Sequence, residues 1–344
     1  EKYFFDTPPT GQTVDKSTFI EGGDTLIVKE QSIPARIFSL EVLSERLLIS
    51  HPKVPLIQQD LIKVSAGYKG EKAVSYYLDF LPPNDAFIFH SPRLPSGKHY
   101  FQIDYLILTQ RYALILECKN FFGTLFFDQS FNQLIRTAND KEEGFQDPIS
   151  QAKWHQQQLR QWLYKHDIQM PIEFFVVISN PSTILKTNPQ NQHALKKVIH
   201  GHSLLEKIEE VNQRYNKEHL DMKGVRKLNK QLLKSHTPES FNALDRYGIR
   251  PEEIVTGVRC PNCGPLPMMR TKRTWLCPKC GAKDRQAHVK ALQDYFYLMG
   301  PSITNKQFRD FVHLESVHAA QKLLKAMDLP FSGDKKGRIY FKRE

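Results

Sequence analysis

The stretch from Gln102 to Asn120, QIDYLILTQRYALILECKN, limits the possible folds more than any other part of the chain. Two aliphatic arms, Ile103 to Thr109 and Tyr112 to Cys118, flank a polar break at Gln110-Arg111, and this pattern predicts a β-hairpin. A turn centred on Gln110-Arg111 sets Asp104 opposite Glu117 and Gln102 opposite Lys119, with facing Cβ atoms about 5 Å apart. Arms apolar on both faces belong in the middle of a covered sheet. Two carboxylates, an amide and an ammonium therefore converge at one end of a buried hairpin. Burying unpaired charge is costly, so the carboxylates need a shared proton or a cation. Oxygen-rich pairs of this kind suit Mg²⁺ or Mn²⁺. The plainer reading is a structural Glu-Lys or Asp-Lys ion pair at a strand end.

Asp104, twelve residues, then Glu117-x-Lys119 resembles the core of the PD-(D/E)XK nuclease superfamily. A wider set is similar to the NERD (nuclease-related) domain over about residues 65 to 180. It comprises Gly67-Tyr-Lys-Gly70-Glu71, Gln102-Ile-Asp104, Glu117-Cys-Lys119-Asn120, Gly123 and Pro148-Ile-Ser-Gln151-Ala152. The resemblance implies a restriction-endonuclease-like α/β sandwich that hydrolyses phosphodiester bonds. It also implies that Asp104, Glu117 and the Cys118 carbonyl hold Mg²⁺ or Mn²⁺, with Glu71 as a supplementary helix carboxylate. Lys119 would position or deprotonate the attacking water, and Gln102 and Gln151 would orient Lys119 or the nucleic acid. Two of these roles have ordinary alternatives. A helix starting at Gly67 puts Glu71 in its first turn, where the helix dipole favours an acid. Gln151, His155 and Gln158 recur at i, i+4 and i+7, which by default is a solvated stripe.

Four of the five cysteines form a second, independent motif, Cys260-Pro-Asn-Cys263, thirteen residues, Cys277-Pro-Lys-Cys280. Two Cys-x-x-Cys knuckles match a closed, tetrahedral, structural Zn²⁺ site and resemble a zinc ribbon. Arg270, Lys272, Arg273 and Trp275 between the knuckles offer cations and a ring to nucleic acid. Beyond them, an apolar face at Val289, Leu292, Phe296 and Met299, a cap at Thr304 and a cap at Ser316 predict three helices. A Gly333 to Gly337 turn and Arg338-Ile-Tyr-Phe then predict a basic wing, so the region resembles a winged helix-turn-helix. In that architecture His318, Gln321, Lys322 and Lys325 on the third helix, with Lys335, Lys336 and Arg338 on the wing, are the expected DNA contacts. A small packing or dimerisation domain is the plainer reading.

Charge supports a polyanionic partner. The chain carries a net +11, and residues 257–344 hold 17 Lys or Arg against 7 Asp or Glu, so the nuclease-like part is close to neutral. No apolar run reaches the length of a membrane helix and no signal-peptide core is apparent, so a soluble, cytoplasmic protein is expected.

The expected division is an N-terminal arm or tag at 1–25, a helical lead-in at 26–64 and the nuclease-like domain at 65–185. A helical extension or linker at 186–256, to which no site is assigned, precedes the zinc ribbon at 257–284 and the winged-helix-like domain at 285–344. Within the nuclease-like part, Gly123 to Phe127 and Gln133 to Arg136 are expected to extend the main sheet, Asp140 to Pro148 to form a loop, and Phe174 to Ile178 to close the core. The functional expectation is a metal-dependent DNA endonuclease. A catalytically silent DNA-binding adaptor and an RNA nuclease are the alternatives, with oligomeric state and protein partners left open.

Overall fold

The computed structural model describes residues 26–82, 86–264 and 267–343, apart from the side chains of Leu26 and Lys336. The arm expected at 1–25 lies outside the described residues, as does the Lys336 side chain expected to contact DNA. The chain begins with strand β1 (Leu26–Lys29), helix α1 (Ala35–Arg46) and helix α2 (Val54–Leu78). Strands β2 (Phe87–His90), β3 (Arg93–Ser96), β4 (His99–Gln102), β5 (Tyr105–Leu108) and β6 (Ala113–Lys119) follow. Next come β7 (Thr124–Asp128), β8 (Gln133–Ala138), β9 (Lys141–Gln146), helix α3 (Pro148–Tyr164) and β10 (Ile172–Ile178). This part closes with β11 (Ile184–Thr187), α4 (Gln192–Lys197), β12 (Val198–His200), α5 (Leu204–Arg214) and α6 (Met222–Ser235).

Six strands form the main sheet in the order β1-β2-β5-β6-β10-β12. Tyr105 faces Leu116 and Leu108 faces Ala113, which is the register that a turn at Gln110-Arg111 demands. β10 runs parallel to β6, from Ile172 beside Ala113 to Ile178 beside Lys119, and is covered in turn by β12. All residues of β5 and β10 are buried; their side chains are apolar on both faces except Glu173, whose carboxylate is paired with Lys197 and Arg214. Leu106, Leu108, Ala113 and Ile115 pack under α3 and α6. On the other face, Ile107, Leu114 and Leu116 pack under α2 and α5. The result is the expected α/β class, a mixed sheet between two helical layers.

Three local expectations give way. β7 and β8 do not extend the main sheet; they form a second sheet in the order β11-β7-β8-β9. The segment expected as a loop at 140–148 contains β9, because Asn139 and Asp140 both take positive φ (51° and 57°) and make a tight hairpin turn back onto β8. Gly67 does not start a helix. α2 begins at Val54 and runs 25 residues through both glycines. Gly70 is explained by packing, since a Cβ there would lie 2.5 Å from Asn120 Cβ and 2.9 Å from Ser179 Oγ, just beyond the ends of β6 and β10.

The remaining elements are α7 (Ala243–Tyr247), β13 (Met269–Thr271), β14 (Thr274–Leu276), β15 (Lys283–Asp284) and α8 (Ala287–Leu298). They are followed by β16 (Ser302–Thr304), α9 (Asn305–Val312), α10 (Val317–Ala326), β17 (Phe331–Ser332) and β18 (Ile339–Phe341). Thr304 and Ser316 cap α9 and α10 as their sequence positions require. α1 and the first turns of α2 share one core with these C-terminal elements: Leu40, Leu43, Val54 and Ile57 pack with Trp275, Tyr295, Phe308 and Leu324. Among the described residues, no helix is long and apolar enough to cross a membrane.

Candidate active site

β6 is apolar up to Leu116 and then ends in Glu117-Cys-Lys119. Alternation along the strand sends Glu117 and Lys119 to the α3 side and Cys118 to the α2 side, where it packs with the core around Val74. Lys119 Nζ donates to Glu117 Oε1 at 2.7 Å and to Gln151 Oε1 at 3.1 Å. Gln151 is presented by the first turns of α3, whose start is fixed by Asp147 accepting from the Ile149 and Ser150 amides. His155 Nδ1, one turn further on, lies 3.1 Å from Glu117 Oε2. The two atoms are close but not aligned as a hydrogen bond, so the buried Oε2 of Glu117 accepts none. Asp104 sits immediately before β5, and its Oδ2 accepts the Cys118 amide at 2.7 Å.

Glu71 approaches from the other helical layer. The continuous α2 places it mid-helix rather than in a first turn, so the helix-dipole explanation for an acid at this position falls away. Its Oε2 is 2.6 Å from His90 Nε2, and Tyr105 donates its hydroxyl to the Glu71 carbonyl at 3.0 Å.

The electrostatics of the group follow from this crowding. Burial, and then the Glu117 and Glu71 carboxylates, push Asp104 well above the usual carboxylate range. Burial would raise Glu117 too, but the His155 ring and the Lys119 ammonium outweigh it and hold Glu117 low. Burial favours neutral Lys119, yet Glu117 and Asp104 prevail and raise it, so Lys119 is held as an ammonium. Burial, followed by the Asp104 charge, pushes the Cys118 thiol well up, so it stays protonated.

The site thus assembles Asp104, Glu117, Lys119 and Gln151, with Glu71 close enough to act on Asp104 electrostatically. Gln102 is not among them. It ends the β3-β4 hairpin opposite Arg93, with its side chain exposed, because the chain leaves the main sheet before Ile103. Gln151 makes the contact to Lys119 that Gln102 was expected to make. The stripe of Gln151, His155 and Gln158 is not solvated: His155 and Gln158 are buried toward the site and the β3-β4 hairpin. His90 was missed. It ends an apolar strand just as Glu117 does, and a polar residue closing a buried run was the available signal.

A divalent ion fits part of this arrangement. Glu117 offers a buried oxygen without a hydrogen bond, and the raised Asp104 is a carboxylate short of positive charge. Glu71, Asp104 and Glu117 are not drawn together as tightly as a closed metal site. Among the described residues, only Cys260, Cys263, Cys277 and Cys280 bring three or more ligand atoms within 4.8 Å of one another. Their Sγ atoms approach to 3.6 Å for Cys260–Cys280 and 3.5 Å for Cys263–Cys277, and all four are free of disulfides. Ligands about 2.3 Å from a tetrahedral Zn²⁺ would stand about 3.8 Å apart. The Cys280 amide, ahead of that of Lys279, pulls Cys277 down to about 6, toward the thiolate a metal needs.

The expected nucleic-acid contacts divide. His318, Gln321, Lys322 and Lys325 are all exposed on one face of α10, and Lys272, Arg273 and Lys335 are exposed at turns. Trp275 is not available: it is fully buried and donates its Nε1 to His288 Nδ1 at 3.2 Å. Arg270 is drawn in over that ring, 5.1 Å from its centre, and Arg338 lies 4.2 Å over Phe331.

Residues 66–179 match the family model described as NERD, the nuclease-related domain. The match spans Glu71, Asp104, Glu117, Lys119 and Gln151 and stops before α6 and the four-cysteine cluster. Among curated proteins and solved structures, nothing matches the chain.

Proposed function

We propose, from the nuclease-related domain at residues 66–179, that this chain is a metal-dependent nuclease cutting DNA phosphodiester bonds. The observation that carries the reading is the end of β6, where the buried Oε2 of Glu117, faced by the His155 ring at 3.1 Å, lies beside Asp104 and the Gln151-anchored Lys119. In this reading Asp104, Glu117 and the Cys118 carbonyl hold Mg²⁺ or Mn²⁺, and Glu71 assists. The ion, when bound, acidifies a water and offsets charge developing on the phosphorus oxygens. In the ion-free site Glu117 and Asp104 hold Lys119 as the ammonium, a donor. Aimed by Gln151, it positions the water or a phosphate oxygen. His90 fixes the rotamer of Glu71, and α3 and the β3-β4 hairpin wall the site on one side.

The four cysteines hold Zn²⁺ in a closed ribbon, without an open position for substrate. The exposed α10 face and the strand pair β17-β18, read as a winged helix, engage DNA with the cationic last quarter of the chain. Five free cysteines suit a reducing compartment, and we assign the protein to the cytoplasm.

The test is cleavage of labelled linear, nicked and single-stranded DNA and of RNA, with Mg²⁺, Mn²⁺ or EDTA. The native chain should cut DNA only with metal, and Glu117→Gln and Lys119→Ala should each lower the rate by about 100-fold or more. Tight DNA binding without cutting under all conditions would replace this reading with the adaptor. A preference for RNA would move the substrate.

A further inference from the structure

The two helical layers of the main sheet differ in charge. α3 and α6 cover the face that bears Glu117 and Lys119, and neither helix contains an Asp or Glu. On the opposite face the part of α2 over the sheet contains Glu71, and α5 contains Glu206, Glu209 and Glu210. The asymmetry is strongest on α6. Lys223, Arg226, Lys227, Lys230 and Lys234 recur at i, i+3, i+4, i+7 and i+11, all exposed, while Val225, Leu228 and Leu232 bury the other side. At 3.6 residues per turn the five cations fall within an arc of about 100°. A solvated helix ordinarily mixes signs and pairs them across a turn, as α5 does with Lys207 and Glu210. Among the described residues, Lys223, Arg226, Lys227 and Lys234 form no ion pair.

The helix that carries the row runs from the hairpin turn toward β3. α6 starts beside Gln110, whose carbonyl accepts the His219 and Leu220 amides, at the turn of the β5-β6 hairpin. It ends beside β3, where Thr237 N donates to the Arg93 carbonyl at 3.0 Å and Arg93 N to His236 Nδ1 at 3.1 Å. The β3-β4 hairpin, with Arg93 stacked 4.1 Å over the exposed ring of Tyr100, then leads directly into Asp104. From Lys223 to Lys234 the helix rises about 16 Å, over which each strand of a duplex carries about five phosphates at about 3.4 Å each along the axis.

We propose that α6 is a nucleic-acid-binding helix, its cation row holding the phosphate backbone of a strand that continues past the β3-β4 hairpin to Glu117 and Lys119. The identity of the ligand rests on the nuclease reading above; the site itself lies outside the nuclease-related match and apart from the C-terminal quarter.

The test measures binding of the full-length protein to a labelled single-stranded oligonucleotide in EDTA across a salt series, so that it does not depend on cleavage. The combined variant Lys223→Gln, Arg226→Gln, Lys227→Gln and Lys234→Gln should flatten the dependence of log K on log salt by about 0.7 per cation, close to 3 in all. Neutralising four exposed lysines elsewhere, Lys141, Lys165, Lys186 and Lys196, should leave the slope unchanged. If the fourfold variant does not fold, Lys227→Gln with Lys234→Gln should give half the effect. An unchanged slope in the α6 variants, or an equal change in the scattered set, overturns the proposal. A flattened slope in a chain that never cuts DNA would keep the proposal and remove the nuclease reading. Competition by a nucleoside triphosphate as strong as by the oligonucleotide would make α6 a nucleotide site and overturn the backbone assignment.

Discussion

Burial and two neighbouring carboxylates strain Asp104 electrostatically, and this has a measurable consequence without any metal. Its folded pKa is raised, so the ionised form costs stability at pH above that raised value. The cost disappears as pH falls through the raised value toward the ordinary 3.8. Asp104→Asn keeps an oxygen for the Cys118 amide and removes the charge. In EDTA at neutral pH the variant should therefore be the more stable protein, by about 1.4 kcal/mol for each unit by which the native pKa is raised. Urea denaturation across the pH range checks this: the advantage should shrink on acidification, and Mg²⁺ or Mn²⁺ should stabilise only the native chain. A variant less stable than native at neutral pH would mean that Asp104 is not strained by its neighbours. The identity of this residue was legible because strand register is arithmetic once the turn is known, and Asp104 and Glu117 each lie one residue beyond the paired stretch. Gln102 was misplaced because register ceases where pairing ceases. His90 was passed over although it closes a buried run, and His155 was read with Gln151 and Gln158 as a solvated stripe.

At the scale of elements, α2 offers a test within one helix. Gly67 and Gly70 look alike in the sequence, but a Cβ at Gly67 meets nothing within 4 Å, whereas one at Gly70 collides with Asn120 and Ser179. Gly67→Ala should stabilise the protein by about 0.5–1 kcal/mol through the backbone term alone. Gly70→Ala gains the same term but must push α2 off the ends of β6 and β10. Overpacking of this kind costs about 1–3 kcal/mol, so the net effect is destabilising, and Glu71 moves with the helix. Thermal melts of the two variants should shift in opposite directions. Cleavage should survive the first and fall with the second. Equal shifts would show that the close approach is not rigid. Elements announced by their own residues were legible: the apolar hairpin, the knuckles, and the caps at Thr304 and Ser316. The second sheet was not, because β7 and β8 have the same local pattern as strands of the first, and only the chain's departure at Gly123 separates them. There φ is 91° and a Cβ would lie 2.4 Å from the Thr137 carbonyl.

At the scale of the whole molecule, the helix at 35–46 leads in sequence toward the nuclease-related domain but in space belongs with the C-terminal elements. Arg46 is fully buried and pairs with Asp294, 248 residues away, through Nε at 2.8 Å. It also donates to the Val255 and Gly257 carbonyls and lies 4.8 Å over the Phe311 ring. Nothing in the local sequence distinguishes this arginine from a surface one, so the contact was not legible. Cys260, Cys277 and Trp275 lie in the same core as Leu40 and Leu43, which ties the four-cysteine site to α1. If Zn²⁺ occupies this site as proposed, its removal leaves four thiols at close quarters with no ion to hold them, and a structural zinc site contributes directly to folding. The core it helps to close is then weakened far beyond the ribbon. Hydrogen exchange before and after treatment with a zinc chelator should show amides of α1, α8 and α9 losing protection together with β13 and β14. β5, β6 and β10 should keep theirs, because their packing is supplied by α3, α6, α2 and α5. α2 crosses from one core to the other, so its protection should split, lost toward Val54 and kept from Gly70 onward, where it lies against Asn120 and Ser179. Loss confined to the ribbon would mean that α1 and α8 hold each other without it, with the Arg46–Asp294 pair sufficient for the purpose. Loss spreading into β6 would mean that the two cores unfold as one unit and that the metal supports the candidate active site as well.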